Sequence, residues 1–464
     1  MRFKALVGTV LFAAAAARAQ DLTADQKAKI DAAVQQVVDK TGVPSASVGV
    51  VQGGRIVYTR AFGDARLKPE MKATAEMSYP VGSISKQFTA VCILLLAEDG
   101  KLTLDDPVSR FFPELTRAKD VTIRELLSHT SGYEDYAPQD YTIPAWMKPT
   151  DPAKLVREWA GKPLDFEPGT QWQYSNTNFV LAALIVQKAS GMGYFDFLQS
   201  RILKPLGLKA LNLDTERDRV EPLGYERHAL APLRTAVLEA PGWYFGDASL
   251  AMPVGELLKW DLSIINKTLL KPGSYEAFET AVKLKDGKPT RYGLGISVFA
   301  QNGRRVLEHS GEVGGFVAEN MVLPDDKLAI AVLTNQEASS AAGKIASAVG
   351  KILMTPAETA SATAKSQEKQ VQAILTGLQD GNIDRKDFTP DANFYFSADT
   401  LDDFRTSLKP LGTVSSVVQR RESLRGGMFL RQYDVTFAGG ETVTVSTYTM
   451  KDGLLEQFLV EGEE

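Results

Sequence analysis

The chain has 464 residues, 44% of them hydrophobic and 23% charged, which is ample apolar material for a large core and more length than one domain usually needs. A formal charge of −5 argues against a nucleic-acid partner. The single cysteine, Cys92, rules out an intrachain disulfide. Three scattered histidines, His129, His228 and His309, without a His-Glu-x-x-His or Cys/His cluster, leave no basis for a zinc site.

The N-terminus reads as a secretory signal. Arg2 and Lys4 precede an apolar run from Ala5 to Ala17, too short to span a bilayer, and Ala17-Arg18-Ala19 fits a small-x-small cleavage site. The mature chain is then expected to begin at Gln20. Removing residues 1–19 takes away Arg2, Lys4 and Arg18 and no acidic residue, which moves the formal charge from −5 to −8. An exported protein, periplasmic or secreted, follows, with no membrane span in the mature chain and no lipid-anchor cysteine after the apolar run.

Ser45–Gln52 and Arg55–Phe62 alternate as strands joined by Gly53-Gly54, a hairpin signal. Gly82 is followed by Ser83-Ile84-Ser85-Lys86 and the apolar run Phe88 to Ala97, which stops at Asp99-Gly100. The four residues are expected in the first turn of a buried helix, where positions three apart share a face. Ser83 and Lys86 then lie side by side. A serine hydroxyl becomes a useful nucleophile when a neighbour takes its proton, and a lysine in an apolar pocket has a depressed pKa suited to that task. The motif is weak by itself: Ser366 and Lys369 repeat the spacing in a polar stretch with no apolar helix behind them.

From Ser83 to about Leu270 the pattern is mostly helical, with a second apolar helix at Phe179–Ala189. Tyr174-Ser175-Asn176 precedes that helix. A tyrosine beside an ammonium is expected to lose its proton more readily and to act as base and then acid, while Asn176 offers an amide to a substrate carbonyl. Ser175 or Asn176 also fits a helix N-cap. Leu126 to Gly132 contains His129 between Ser128 and Ser131; it reads as a hydrogen-bonded structural loop rather than a separate triad. No Gly-x-Ser-x-Gly elbow occurs.

Strand character returns at Tyr292–Ala300, Arg304–His309, Gly315–Leu323 and Leu328–Asn335, followed by a helix at about Ser339–Leu353. Strands at both ends and helices between them predict one antiparallel sheet with an inserted helical region, an α+β fold. His309-Ser310-Gly311-Glu312 ends one of these strands, where a backbone N–H can serve one arm of an oxyanion hole beside that of Ser83. Residues 355–369 read as a linker. Residues 370–464 read as a separate small α+β domain, with helices at Gln370–Leu378 and Leu401–Leu408 and strands at Val414–Arg421, Met428–Phe437, Thr442–Met450 and Leu455–Val460.

Taken together, Gly82–Ala90, Gly100–Val108, Leu126–Gly132, Glu167–Thr170, Tyr174–Asn176, Pro205–Leu208 and Tyr292–Gly295 resemble the serine hydrolases related to class C β-lactamases and penicillin-binding proteins, over about Leu22 to Leu353. The resemblance implies residues 20–354 as a serine β-lactamase/D,D-peptidase-like domain, with the site between sheet and helical region. It also implies an acyl-enzyme on Ser83 formed without metal or organic cofactor. Lys86 and Tyr174 would carry protons, Asn176 would orient a small-molecule or peptide substrate, and the Ser83 and Glu312 N–H groups would hold the oxyanion. In place of the family's Lys-Thr-Gly stands His309-Ser310-Gly311, followed by Glu312. The loss of a cation and the added acid favour ester or amide hydrolysis, esterase or aminopeptidase-like, over β-lactamase activity. A cell-wall D,D-peptidase and a catalytically silent binding module are the alternatives. The C-terminal domain resembles NTF2-like cone domains, which can pair into homodimers or cover a ligand pocket.

Overall fold

In the computed structural model, residues 21–139, 142–228, 231–301, 303–354, 362–425, 428–450 and 452–462 are described. The expected signal at 1–19 and residues 355–361 of the expected linker lie outside them. The described chain divides into two compact units, the first running to Ala300 and again over Arg304–Leu353, the second built on the chain from Met354.

The first unit is organised by a seven-stranded sheet in the order Glu70–Lys72, Arg55–Leu67, Ser45–Gln52, Leu328–Thr334, Phe316–Leu323, Arg304–Val313, Ser297–Gln301. The N-terminal hairpin thus joins the C-terminal strands through antiparallel pairing of Ser45–Gln52 with Leu328–Thr334, Ala46 opposite Thr334 and Val51 opposite Ala329. Both strands are buried almost throughout, so both faces are covered. The helices Ala24–Thr41 and Ala341–Leu353 pack on each other beside the sheet, and Val254–Asn266 packs against Ser45–Gln52. That last contact needs glycine. A Cβ on Gly49 would stand 2.6 Å from Leu258 Cδ1.

The helix Ala24–Thr41 was not anticipated, although its signals are present. Thr23 and Gln26 form a capping box, and Gly42 closes the helix in the left-handed region at φ 68°. The region between Ser83 and Leu270 is the expected helical insert. Its centre is the helix Ser85–Glu98, of which every residue from Ser85 to Leu96 is buried. It packs against Asn176–Ser190, which is likewise buried from Thr177 to Val186. Phe88 stacks on Trp260 at 4.1 Å, and the Trp260 indole N–H donates to Gln87 Oε1 at 2.8 Å.

Two local expectations need correction. The strand predicted over Tyr292–Ala300 is limited to Ser297–Gln301. Tyr292–Gly295 turns instead, because Gly295 has φ 78° and lies where a Cβ would meet the Lys86 carbonyl oxygen at 2.7 Å. In the second unit the first helix begins at Ala362, so part of the expected linker is helical. Its Ala, Lys, Gln and Glu content favours helix. That unit continues with the helices Pro390–Tyr395 and Ala398–Leu408 and an antiparallel meander, Val414–Arg425, Met428–Phe437, Thr442–Thr449 and Leu455–Gly462, around its own core of Leu375, Phe396, Tyr433 and Phe458.

The first unit's sheet carries a close acid pair, a buried Glu319 beside a half-buried Glu308. Glu319 is 8% exposed, and burial together with the neighbouring Glu308 carboxyl pushes its pKa upward. A carboxyl raised in the folded state contributes its full stability below the ordinary glutamate pKa and loses it as pH rises through the folded value. Glu319→Gln is therefore expected to leave the melting temperature little changed near pH 4 and to raise it at pH 8 to 9, by on the order of 1–2 kcal/mol of stability. Calorimetric melts of both proteins across that range check this; parallel curves would refute it.

Candidate active site

Gly82–Ile84 form a single 3-10 turn, and the α-helix proper starts at Ser85. Ser83 and Lys86 still lie on one face. Lys86 Nζ donates to Ser83 Oγ at 2.8 Å, to Asn176 Oδ1 at 2.7 Å and to the Asp247 carbonyl oxygen at 3.1 Å. An ammonium has three hydrogens, and here each has an acceptor. Lys86 is fully buried, which lowers its pKa to about 8, against the opposing pull of the Asp247 and Asp135 carboxylates.

Tyr174 stands beside this pair, with Lys86 Nζ 5.0 Å from its ring centre, and lines the same cavity as Ser83. The expectation of an easily formed phenolate fails. Burial drives the Tyr174 pKa far above its ordinary value, with the Asp247 and Asp135 charges adding to the rise. Tyr174 is a neutral phenol here, and Lys86 is the group closer to losing a proton near neutral pH.

The Tyr-Ser-Asn segment is held by the loop before it. Ser175 is the N-cap position of the Asn176–Ser190 helix, but its side chain makes no cap hydrogen bond. Asp135 serves instead: its Oδ1 accepts the Asn176 N–H at 2.9 Å, and its Oδ2 lies 3.3 Å from Asn176 Nδ2. The Asn176 amide oxygen is thereby turned toward Lys86. His129 Nδ1 accepts the Ser175 N–H at 3.1 Å, and its ring lies 4.3 Å from that of Tyr174. His129 Nε2 has no hydrogen-bond partner and is buried, so the loop is a support for Tyr174 and not a triad. Its φ of 59° is unusual for a side chain with a Cβ.

The strand Arg304–Val313 forms the opposite wall. Gly311 and Gly82 permit a close approach: a Cβ on Gly311 would stand 3.0 Å from Ser83 N, and one on Gly82 would stand 2.5 Å from Glu312 N. The amides of Ser83 and Glu312 are thus drawn to the same place. His309 is buried between Tyr292, whose hydroxyl lies 2.7 Å from Nε2, and the Ser310 carbonyl oxygen, 2.5 Å from Nδ1. A carbonyl only accepts, so Nδ1 carries the hydrogen and Nε2 accepts from Tyr292. Burial lowers the His309 pKa to about 4, so the ring is neutral where the family's β-lactamases carry lysine.

Ser83, Tyr174, Asn176, His309, Ser310, Gly311 and Glu312 line one cavity of about 670 Å³, with Lys86 behind Ser83. The sequence reading missed Asp135 and Asp247. Asp247 is 3% exposed, and burial raises its pKa to about 7 against the lowering effect of Lys86. Neither aspartate belongs to a recurrent motif, and only their packing around Lys86 marks them.

The family profile described as Beta-lactamase matches residues 30–352. The chain belongs to the Beta-lactamase family. It is a serine hydrolase of that family. Penicillin-binding protein 4* of Bacillus subtilis (strain 168) is 29% identical over 63% of this chain and 68% of its own length. A D-stereospecific amidohydrolase from Streptomyces sp. is 28% identical, over 68% of this chain and 96% of that one, with a TM-score of 0.58. The octameric penicillin-binding protein homologue from Pyrococcus abyssi is 22% identical, covers 94% of this chain and 99% of its own, with a TM-score of 0.62, and shares the fold. Other curated relatives of this Beta-lactamase-family chain, Protein flp of Staphylococcus aureus among them, are matched over 64% of their own length.

In this member of the family the carboxylate of Asp247 favours the protonated form of Lys86. Asp247→Asn removes that charge, so Lys86 loses its proton more easily. The rising limb of kcat/KM against pH is expected to move toward lower pH, with activity at pH 6 increased relative to the plateau. An unmoved limb would show that Asp247 does not set the Lys86 proton affinity.

Proposed function

We propose that the protein hydrolyses ester or amide bonds through an acyl-enzyme on Ser83. The observation that carries this reading is the 2.8 Å contact between Ser83 Oγ and a fully buried Lys86. With Lys86 in its neutral form, Nζ accepts the Ser83 proton as Oγ attacks the substrate carbonyl. The carbonyl electrons move onto oxygen, and the Ser83 and Glu312 N–H groups are placed to receive that charge. Collapse of the intermediate expels the leaving group, which takes a proton relayed from Lys86 through the neutral Tyr174 hydroxyl. Water then attacks the acyl-enzyme by the same route in reverse, releasing the acid and restoring Ser83. Asn176, oriented by Asp135, binds Lys86 and is placed to meet the acyl side of the substrate.

Neutral His309 supports esters and amides over β-lactams and peptide C-termini, since it offers no cation to a carboxylate. The likeness to a D-stereospecific amidohydrolase at 28% identity supports amides as one substrate type. Export belongs to the same proposal and rests on the basic and apolar N-terminal sequence. For the C-terminal unit, helices followed by a four-stranded meander support the NTF2-like reading and a pairing or ligand-covering role.

Intact mass after a fluorophosphonate probe is expected to show one adduct on the wild type and none on Ser83→Ala. Absence of an adduct on the wild type would favour the binding-module reading. With p-nitrophenyl esters, kcat/KM should rise with pH, reach half its maximum near pH 8 and level off about one unit higher, because Lys86 accepts a proton only in its neutral form. A profile flat from pH 6 to 9 would remove Lys86 from the role of base. Nitrocefin turnover at least ~10²-fold below that of the best ester or amide is the expected specificity, as lost charge recognition at a substrate anion is worth several kcal/mol.

A further inference from the structure

The cavity over Ser83 has a pattern of charge and aromatic surface that acyl transfer by itself does not require. Five carboxylates line it, Asp135, Asp247, Glu239, Glu312 and Glu337, and no lysine or arginine is among its described lining residues. Lys86 lies behind the wall, and Arg217 sits behind Glu239 and Tyr244, donating to the Glu239 carbonyl and the Tyr244 hydroxyl. Four of the carboxylates are tied into the frame. Asp135 holds Asn176, Glu239 accepts from the Gly314 N–H and the Tyr244 hydroxyl, Glu312 accepts from the Ala338 N–H, and Glu337 accepts from the Gly315 N–H. Asp247 is different: its Oδ2 meets the Tyr136 hydroxyl at 2.9 Å, while its Oδ1 is buried with no hydrogen-bond partner among the described residues.

The same part of the cavity is walled by three rings. Tyr136, Trp146 and Trp243 have mutual centroid separations of 5.8, 6.2 and 6.5 Å, at interplanar angles of 38°, 46° and 75°. Rings tilted in this way do not close into a flat stack. All three border the cavity, and an aromatic ring within reach of an organic cation attracts it through its π face. Low-dielectric walls concentrate the field of the carboxylates within the cleft. An anionic substrate group would enter against that field, with no basic lining side chain to receive it.

We propose that this part of the cavity receives an organic ammonium group of the substrate, seated against Tyr136, Trp146 and Trp243 beside Asp247, while the scissile carbonyl lies over Ser83. The substrate class is then a cationic ester or amide, and the inference rests on the hydrolase reading of Ser83. Tyr136 and Trp243 act as specificity-determining residues, and Asp247 supplies the counter-charge next to them.

The test uses the whole protein and three p-nitrophenyl esters: 4-(trimethylammonio)butanoate, its neutral carbon isostere 5,5-dimethylhexanoate, and 6-aminohexanoate. The expected result at low salt is a kcat/KM about 10-fold or more higher for the cationic esters than for the neutral isostere, falling toward parity as salt rises. Trp243→Leu should reduce that ratio several-fold, with circular dichroism and fluorophosphonate labelling of Ser83 reporting that the variant is folded. Preference for 6-aminohexanoate over the trimethylammonio ester would assign the larger share to carboxylate hydrogen bonding, and the reverse order would assign it to the rings. Equal or better hydrolysis of the neutral ester by wild type, with Ser83 labelled by the fluorophosphonate, would overturn the cation site and leave the hydrolase reading standing. Failure of Ser83 to label would remove that reading and the inference with it.

Discussion

The burial of one amine organises the site. Lys86 sits at zero exposure on a helix surrounded by apolar side chains, and a charge in that position is tolerated only with a full set of acceptors. Ser83 Oγ, Asn176 Oδ1 and the Asp247 carbonyl come from three distant parts of the chain, so satisfying Lys86 draws together the start of the Ser85–Glu98 helix, the start of the Asn176–Ser190 helix and the loop at Asp247. The incomplete compensation leaves its pKa near 8, within reach of neutral pH. The requirement that stabilises the packed arrangement is the one that readies the amine to accept a proton.

Other parts of the fold serve the same centre at one remove. Gly82, Gly295 and Gly311 let two backbone segments, the Tyr292–Gly295 turn and the Arg304–Val313 strand, crowd against the turn that carries Ser83 and Lys86, each at a spacing a Cβ would obstruct. Asp135 and His129 hold the Tyr174–Asn176 segment through its backbone N–H groups, leaving the Asn176 carboxamide oxygen for Lys86. Tyr292 and the Ser310 carbonyl hold the His309 ring in place, and burial keeps it neutral. A lysine in that place would offer a cation to an incoming carboxylate. The neutral ring offers none.

Much of this was legible in the chain. The strand Ser45–Gln52, the Ser-x-x-Lys turn, the second apolar helix and the four C-terminal strands follow from periodicity and breakers, because those signals act over a few residues. The helix Ala24–Thr41 was missed although its capping box and terminal glycine were in view. The turn at Tyr292–Gly295 was read as strand because its conformation is set by contact with the Lys86 backbone, which no local pattern reports.

The sequence by itself determined which groups are neighbours along a turn. Ser83 and Lys86 are three residues apart, and helical geometry places them on one face wherever the helix goes. It also determined that the site would lack the lysine found in related β-lactamases. Only the tertiary structure decided how those groups ionise. Tyr174 stays a phenol because its surroundings exclude water, His309 stays neutral because burial and the nearby Lys86 disfavour a second positive charge, and Asp247 matters because folding carries it to Lys86 and to the three aromatic rings. Proton affinity depends on desolvation and on the charges within a few ångströms, and both are set by residues far apart in the chain.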